Sequence, residues 1–220
     1  MADSLRQFLQ GTFACTDAAA DGLRARAVER AYPVRAVILR QGDRGSETFL
    51  VVAGRAQALL YGLDGQLTLL QEFGRGDLFG ALADLHSEPQ EADVVAVEDL
   101  RAAIFLAMDF LGLMDVHASL GLAVSRLLMK QLRAATQRMA ERSTLSAAGR
   151  VYAELLRLAR SADGRTIQPT PVLAALAVRA HTTRETASRT VNALERRGLI
   201  RRDPDRLTIL APARLEEMVV

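Results

Sequence analysis

The stretch from Thr182 to Arg189 constrains the fold most, because its spacing fits the first two turns of a helix with one polar face. Thr182 can act as an N-cap, and Glu185 stands three residues later, where it completes a capping box. A helix that begins here carries four polar residues on one face, at positions i, i+1, i+4 and i+5: Arg184, Glu185, Ser188 and Arg189. Arginine bonds guanine O6 and N7, and glutamate accepts from cytosine N4. The stretch therefore predicts a recognition helix that reads base edges in DNA.

The residues on either side complete the order of a winged helix-turn-helix. A helix opened by proline is predicted over Pro171–Ala180, a tight turn at His181–Thr182 and a helix end at Gly198. Two strands then flank the turn 203–205, at 199–202 and 207–210. The inner side of the recognition helix is expected to hold the apolar residues Val191, Leu194 and Leu199. A run of arginine and glutamate alone would indicate only a solvent-facing helix, whereas the complete order favours a DNA-binding unit.

Charge is distributed unevenly along the 220 residues, although the formal net charge is only +2. From Ser143 onward there are 13 arginines and 8 acidic residues, a balance of +5. Residues 1–142 hold 15 basic and 18 acidic residues, a balance of −3. The basic excess thus coincides with the predicted DNA-binding unit, and the length is sufficient for two domains.

The single cysteine, Cys15, excludes an internal disulfide and any four-cysteine iron–sulfur or zinc site within one chain. No basic start is followed by an apolar run, and no apolar run reaches the ~18 residues of a membrane span. We therefore expect a soluble, cytoplasmic protein with no metal site and no membrane partner.

The first half changes from a helical to a stranded pattern. Short helices are predicted at 5–10 and 21–29, and short apolar runs separated by glycines follow from Val34 to about Arg101. Asp64-Gly65 lies between two of these runs and is a strong hairpin signal. The pattern predicts an antiparallel β domain.

A long helix without proline is predicted from about Ser119 to Arg142. Its apolar residues repeat at spacings of four, three and four, as in a heptad seam: Leu128, Leu132, Ala135 and Met139, with Ser125 one step earlier. A single helix that buries one side against its own domain would show the same stripe. Since palindromic operators are read by two-fold dimers, the downstream helix-turn-helix favours a homodimer. A hinge is expected at 145–149, with Gly149 or Ser143 breaking the helix.

A β-roll, a long dimerisation helix and a C-terminal winged helix in this order resemble the CRP/FNR family of bacterial transcription regulators. The resemblance extends from about Tyr32 to Val220 and is most specific at Thr183–Arg189; it also includes three turn motifs, at 40–43, 51–54 and 74–80. It implies an α+β fold with an antiparallel β-roll of the double-stranded β-helix or jelly-roll type at 1–118. The dimerisation helix at 119–142 and a winged helix-turn-helix domain at 143–220 complete the implied architecture.

The resemblance also implies roles for the DNA-binding residues. A palindrome of TGA-containing half-sites, about one helical turn apart, is expected to be read by one set of side chains: Arg184, Glu185, Ser188 and Arg189. Thr182 and Thr183 are expected to contact phosphate or cap the helix. In the wing, Arg201 and Arg202 are expected to contact phosphate. RNA polymerase is the expected protein partner.

The sensory end departs from the family. In cyclic-AMP-binding members, a glutamate after the Phe-Gly turn binds the ribose, and an arginine followed by serine or threonine binds the phosphate. Here Ala81 replaces the glutamate, and acids lie at or beside the place of the arginine within 88–93. Because carboxylates repel a cyclic phosphate, cyclic AMP is not expected to bind. The predicted degenerate pocket comprises Gly80, Ala81, Leu82, Glu91, Ala92 and Asp93, with Ala135 and Thr136 in place of the adenine-facing pair.

Other cofactors are not expected either. The oxygen-sensing iron–sulfur cluster of FNR-type members requires four cysteines, and this chain has one. His86 and His117 are candidate axial ligands for a haem, although a lone histidine in a surface loop is far more often inert. The β-roll either keeps an unidentified ligand or is a structural remnant in a regulator controlled by its expression level.

Two classes of function stay open. The favoured class is a sequence-specific DNA-binding regulator, and the alternative is a ligand-sensing or scaffolding module whose helix-turn-helix contacts protein instead of DNA. An enzyme is not expected, because the sequence shows no nucleophile–base pair, Walker loop or metal-spaced cluster. The glycines at 74, 76 and 80 have the wrong spacing for a dinucleotide-binding turn.

Overall fold

The computed structural model describes residues 2–62, 67–82, 89–160 and 163–219. The chain divides into two compact units, the first extending to Ala135 and the second beginning at Thr136.

Two helices begin the first unit, α1 (Ala2–Phe13) and α2 (Asp17–Arg26). The side chain of Thr16 caps α2 by accepting from the Ala19 amide. The helix predicted over 21–29 was placed too late, because its last residues form a strand, β1 (Val28–Tyr32). The apolar spacing of buried Leu5, Leu9 and Phe13 also extends α1 beyond the predicted 5–10.

Two four-stranded antiparallel sheets form the body of the first unit and confirm the β-roll. The strands after β1 are β2 (Val37–Leu39), β3 (Glu47–Ala53), β4 (Ala56–Tyr61), β5 (Leu67–Phe73), β6 (Leu78–Gly80), β7 (Asp93–Ala96) and β8 (Leu100–Leu106). One sheet has the order β1-β8-β3-β6 and the other β2-β7-β4-β5. The predicted Asp64-Gly65 turn lies outside the described residues, but β4 and β5 pair antiparallel, with Tyr61 opposite Leu67.

Two glycines are required by the close approach of neighbouring backbone. Gly54 has φ +78°, and a Cβ there would lie 2.2 Å from the Asp99 carbonyl oxygen. Gly80 has φ +89°, and a Cβ there would lie 2.5 Å from the Glu47 carbonyl oxygen. Any side chain would clash at either position, so the turn between β3 and β4 and the end of β6 both depend on glycine.

Two further helices follow the sheets, α3 (Ala107–Val116) and α4 (Ala118–Thr144). The helix α4 matches the long helix predicted at about 119–142. In its first two turns Leu120, Ala123 and Val124 are buried in the core of the first unit. Within the described ranges no single helix is long and apolar enough to cross a membrane; α3 and α4 reach that threshold only as a pair bent by 119°.

The second unit has the predicted helix-turn-helix and wing. Its elements after α4 are α5 (Ala147–Arg160), β9 (Thr166–Ile167), α6 (Leu173–Arg179), α7 (Arg184–Arg196), β10 (Ile200–Arg202), β11 (Leu207–Ile209) and α8 (Pro212–Glu217). The strands form one antiparallel sheet in the order β10-β11-β9. Strand β9 and helix α8 were not predicted, and α6 is shorter than the predicted 171–180.

The break between α4 and α5 lies at Leu145 and Ser146, not at Ser143 or Gly149. The Ser146 hydroxyl accepts from the Gly149 amide at 3.0 Å and so caps α5. Gly149 is therefore inside the first turn of α5, where a Cβ would lie 3.1 Å from the Val219 carbonyl oxygen. Its small size serves packing, and the prediction that it breaks the helix was wrong.

Candidate nucleic-acid interface

The recognition helix α7 begins one residue later than predicted. Thr183 is its N-cap, and the Thr183 hydroxyl accepts from the Thr186 amide at 3.2 Å. The capping box predicted for Thr182 and Glu185 is wrong, because Glu185 falls at the second helical position instead of the third. The Thr182 amide instead donates to the Ala177 carbonyl at 2.9 Å, which fixes Thr182 in the turn.

The two faces of α7 match the prediction. Its inner face buries Ala187, Thr190, Val191 and Leu194. Leu199, after the helix, is buried in the same core. Gly198 has φ +68°, which terminates the helix as expected. The outer face exposes Arg184, Glu185 and Arg189, with Ser188 half-buried between them.

Two of the predicted base-reading residues pair with each other. Arg189 Nη2 lies 3.4 Å from Glu185 Oε1, one helical turn away, and both side chains are more than 70% exposed, at 71% and 77%. An exposed pair of this kind contributes ~0.2–1 kcal/mol at most. Breaking the pair so that Arg189 and Glu185 could bond base edges would therefore cost little free energy.

An arginine that sequence reasoning missed holds the turn before α7. Arg150 of α5 donates to the carbonyls of Ala180 and His181, each at 2.9 Å, and to the Leu145 carbonyl at 2.9 Å. His181 has φ +47°, so the turn is tight as predicted. Burial and then the charges of nearby arginines lower the pKa of His181.

The two arginines predicted to bind phosphate in the wing differ in their surroundings. Arg201 is exposed, with its Nε 3.6 Å from Asp203. Arg202 points the other way, because neighbouring strand residues alternate faces. It donates to Glu195 at 2.9 Å and to Asn192 at 2.8 Å, and its hydrogen bonds lower the pKa of Glu195. Arg202 thus joins the wing to α7.

Further exposed arginines surround this face and were not singled out from the sequence. They are Arg196 and Arg197 at the end of α7 and Arg206 in the wing. The Arg-Arg pair at a helix end was the signal available for them. Together with Arg184, Arg189 and Arg201 they place a cationic surface around the recognition helix.

The predicted dimer seam on α4 faces solvent in the single chain. Leu128, Leu132 and Met139 are 39%, 58% and 73% exposed, and Ser125 is also exposed. Ala135 is half-buried. The residues that α4 buries in the first unit, Leu120, Ala123 and Val124, lie outside the seam. A stripe packed against its own domain would be covered, so the exposure favours the dimer interpretation.

The β-roll contains a cavity of about 370 Å³, close to the size of small-molecule sites. It is lined by five of the predicted pocket residues: Gly80, Ala81, Leu82, Glu91 and Ala92. Phe73, Phe79 and Gln131 are among the other lining residues. Among the described lining residues Glu91 is the one charged side chain, and none is lysine, arginine or histidine.

Three predicted pocket residues do not line this cavity. Asp93 lies between Ala92 and Val94, which both face it, so the strand alternation turns Asp93 away. The Asp93 carboxylate accepts instead from the backbone N–H of Gln41 at 2.7 Å. Ala135 and Thr136 are also not in the lining; α4 contributes Gln131, one turn earlier, whose amide donates to the Leu78 carbonyl at 2.9 Å.

One of the two histidines considered as axial haem ligands falls within the described ranges. His86 lies outside the described residues, and His117 caps the C-terminal end of α3. Within the described ranges no three histidine, cysteine or acidic side chains cluster as metal ligands would. Cys15 is buried, and burial raises the pKa of its thiol.

Comparison with known proteins yields two matching family models. The cyclic nucleotide-binding domain matches residues 29–117, and the Crp-like helix-turn-helix domain matches residues 149–218. The cyclic AMP receptor protein of Thermus thermophilus is 34% identical over 190 residues, which cover 86% of this chain and 87% of that protein.

Two solved structures share the fold at lower identity. FixK2 from Bradyrhizobium japonicum has a TM-score of 0.74 and 20% identity and covers 87% of this chain and 96% of its own. The c-di-GMP-responsive global regulator CLP of Xanthomonas campestris has a TM-score of 0.76 and 20% identity, over 88% of this chain and 99% of its own.

Proposed function

The chain belongs to the CRP/FNR family of transcription regulators, and from this premise we propose that it binds a palindromic, TGA-containing operator as a homodimer. The observation that carries the proposal is the outer face of α7. There a capped helix presents Arg184, Glu185 and Arg189 to solvent, while its inner face is buried. Arginine and glutamate one turn apart match guanine and cytosine of neighbouring base pairs.

The proposed contacts divide into two kinds. Arg184, Glu185, Ser188 and Arg189 read bases, and Thr183 combines capping of α7 with contact to a phosphate. Arg201 contacts phosphate from the wing, and Arg202 acts indirectly by holding the wing on α7 through Glu195. Thr182 supports the turn before α7 and lies near the DNA backbone, without reading a base. RNA polymerase is the proposed protein partner.

The homodimer is proposed to form along the seam of α4. Leu128, Leu132 and Met139 expose apolar surface there, and burial of this surface against a second copy is the favourable term. Two recognition helices related by a two-fold axis then enter successive major grooves on one side of the duplex.

We further propose that the β-roll cavity does not take cyclic AMP, although the Thermus relative carries that ligand in its name. A cyclic phosphate needs a cation or several donors at its own position. The described lining offers the carboxylate of Glu91 instead, together with neutral amides such as Gln71 and Gln131. The proposed regulator has no metal, haem or other resident cofactor.

A binding titration over a range of salt concentrations tests the DNA-binding proposal. We expect tight binding to a palindromic duplex with TGA half-sites and weak binding to a duplex of the same composition in scrambled order. The logarithm of affinity should fall linearly with the logarithm of salt, with a slope of about −0.9 per phosphate contacted. Equal binding to both duplexes, or binding that salt does not weaken, would favour the protein-contacting scaffold.

A further inference from the structure

A chain of ion pairs joins the last two turns of α4 to α6 inside the second unit. Arg157 of α5 donates from Nη2 to both carboxylate oxygens of Glu141, at 2.8 and 2.6 Å. Its Nη1 donates to Glu154, which is only 2% exposed. Glu154 also accepts from Nη1 of Arg179, at the end of α6, at 3.3 Å. We call these four residues the α4–α6 clasp.

The clasp is supplemented at the backbone by Arg150. Its guanidinium bonds the Leu145 carbonyl beside the helix break and the Ala180 and His181 carbonyls before α7. Arg150 and Arg157 of α5 therefore bond residues at the end of α4, across the helix break. The last turns of α4 and the helix-turn-helix are held as one body.

Stability alone does not account for such a network. Buried ion pairs have to offset the cost of removing charges from water, and well-packed apolar residues often serve stability equally well or better. The planar guanidinium of Arg157, however, holds Glu141 of α4 through Nη2 and Glu154 of α5 through Nη1, which restricts the relative orientation of these two helices. The clasp therefore has the properties of a positioning device.

We propose that Glu141, Arg157 and Glu154 fix the orientation of the recognition helix on the end of the dimer helix and thereby determine which half-site spacing the protein accepts. This inference rests on the proposed function, a dimer on a palindrome. Met139 of the seam lies two residues before Glu141, so the clasp begins where the proposed dimer contact ends.

The spacing of half-sites is a sensitive readout of this geometry. Adding one base pair between half-sites moves them apart by about 3.4 Å and rotates one against the other by about a tenth of a turn. Because the two-fold axis duplicates any deviation of one recognition helix, a rigid dimer should discriminate strongly against such a change. A dimer with a loosened clasp should accept both spacings.

The test compares Glu141→Ala with the wild-type protein and with Glu216→Ala as a matched control. Glu216 of α8 pairs with Arg160 of α5 at 2.9 Å, an exposed ion pair that does not involve α4. Affinity is measured on the preferred palindrome and on palindromes with one base pair more and one fewer between half-sites. Sedimentation and circular dichroism check that each variant is a folded dimer.

For the wild type and Glu216→Ala, we expect the preferred spacing to be favoured about tenfold or more. For Glu141→Ala, we expect that ratio to fall to about threefold or less, mainly because the altered spacings bind better. An unchanged ratio would overturn the inference, as would an equal loss of affinity on all three duplexes in a folded dimer. A wild-type protein that does not distinguish palindromes from scrambled duplexes would overturn the proposed function itself.

Discussion

Replacing Leu132 with glutamate should abolish the proposed dimer. Leu132 is 58% exposed in the single chain and lies in the middle of the seam, between Leu128 and Ala135. In a parallel two-fold dimer, each Leu132 would face its counterpart across the axis. The substitution removes apolar surface from both copies and places two carboxylates close together.

The expected loss follows from the exposed fraction. Complete burial of a leucine side chain contributes about 1.5–3 kcal/mol. Since 58% of Leu132 is exposed before association, its burial would contribute about 0.9–1.7 kcal/mol per protomer, or about 2–3.5 kcal/mol per dimer. This corresponds to a dimer dissociation constant raised by about 30- to 370-fold, before any repulsion between the carboxylates is counted.

Sedimentation velocity over a range of protein concentrations measures this change. Leu106→Glu is the matched control, because Leu106 is 56% exposed but lies at the end of β8, outside the seam. We expect Leu132→Glu to be monomeric and to bind the palindrome weakly, and Leu106→Glu to keep both properties of the wild type. A Leu132→Glu protein that stays dimeric at the concentrations at which the wild type does would show that the interface lies elsewhere.

Four further outcomes are expected. Arg189→Ala should lose ~1–3 kcal/mol of preference at one guanine while non-specific binding persists, as measured by selection from random duplexes; an unchanged preferred site would remove Arg189 from the readout. Arg201→Ala should weaken binding to all sequences and reduce the salt slope by about 0.9, whereas Arg202→Ala should mainly lower the melting temperature. A reduced salt slope for Arg202→Ala and not for Arg201→Ala would contradict the proposed roles of the two arginines. Cyclic AMP should not raise the melting temperature of the wild type, whereas a ligand at a hundred times its Kd would add ~2.7 kcal/mol to the free energy of unfolding. Calorimetry should show stronger binding of cyclic AMP to Glu91→Arg than to the wild type. A clear thermal shift of the wild type with cyclic AMP would refute the pocket proposal. Backbone hydrogen bonds lower the pKa of Asp163 from 3.8 to about 2, so their stabilising effect is present above pH 3.8 and is lost as pH falls towards 2; the difference in unfolding midpoint between the wild type and Asp163→Asn should shrink over that range.

The apolar pattern predicted the main elements of both units, although it placed the helix over 21–29 too late and did not reveal β9 or α8. Val191 and Leu194 recur at helical spacing and are buried, and the runs separated by glycines form the strands of the β-roll. These predictions hold because burial of apolar surface dominates the fold and repeats with the period of each element. The exact start of α7 was not predictable in this way, since Thr182 and Thr183 have the same capping chemistry. A local contact decides between them, because the Thr182 amide donates to the Ala177 carbonyl, five residues earlier, and so closes the C-terminal end of α6.

The roles of polar residues depended on partners distant in sequence. Arg201 and Arg202 have the same side chain, but successive residues of β10 point to opposite faces. Arg201 is therefore exposed, whereas Arg202 faces α7 and pairs with Glu195. The same alternation removes Asp93 from the cavity. The α4–α6 clasp was missed because Glu141 and Arg179 are 38 positions apart and no local pattern connects them.

The contacts of Gln131 limit how strongly a ligand in the β-roll cavity would act on the dimer helix. Gln131 is the part of α4 that lines the cavity, and its amide already donates to the Leu78 carbonyl at 2.9 Å. Lys130 beside it lies 3.3 Å from Asp77, so two adjacent residues of α4 are bonded to the edge of β6. A ligand that accepts the hydrogen bond from the Gln131 side chain would replace the Leu78 carbonyl as acceptor, with a net gain of ~1 kcal/mol or less. A strong effector response would therefore have to come from the apolar lining, where Phe73 and Phe79 offer the larger contact area.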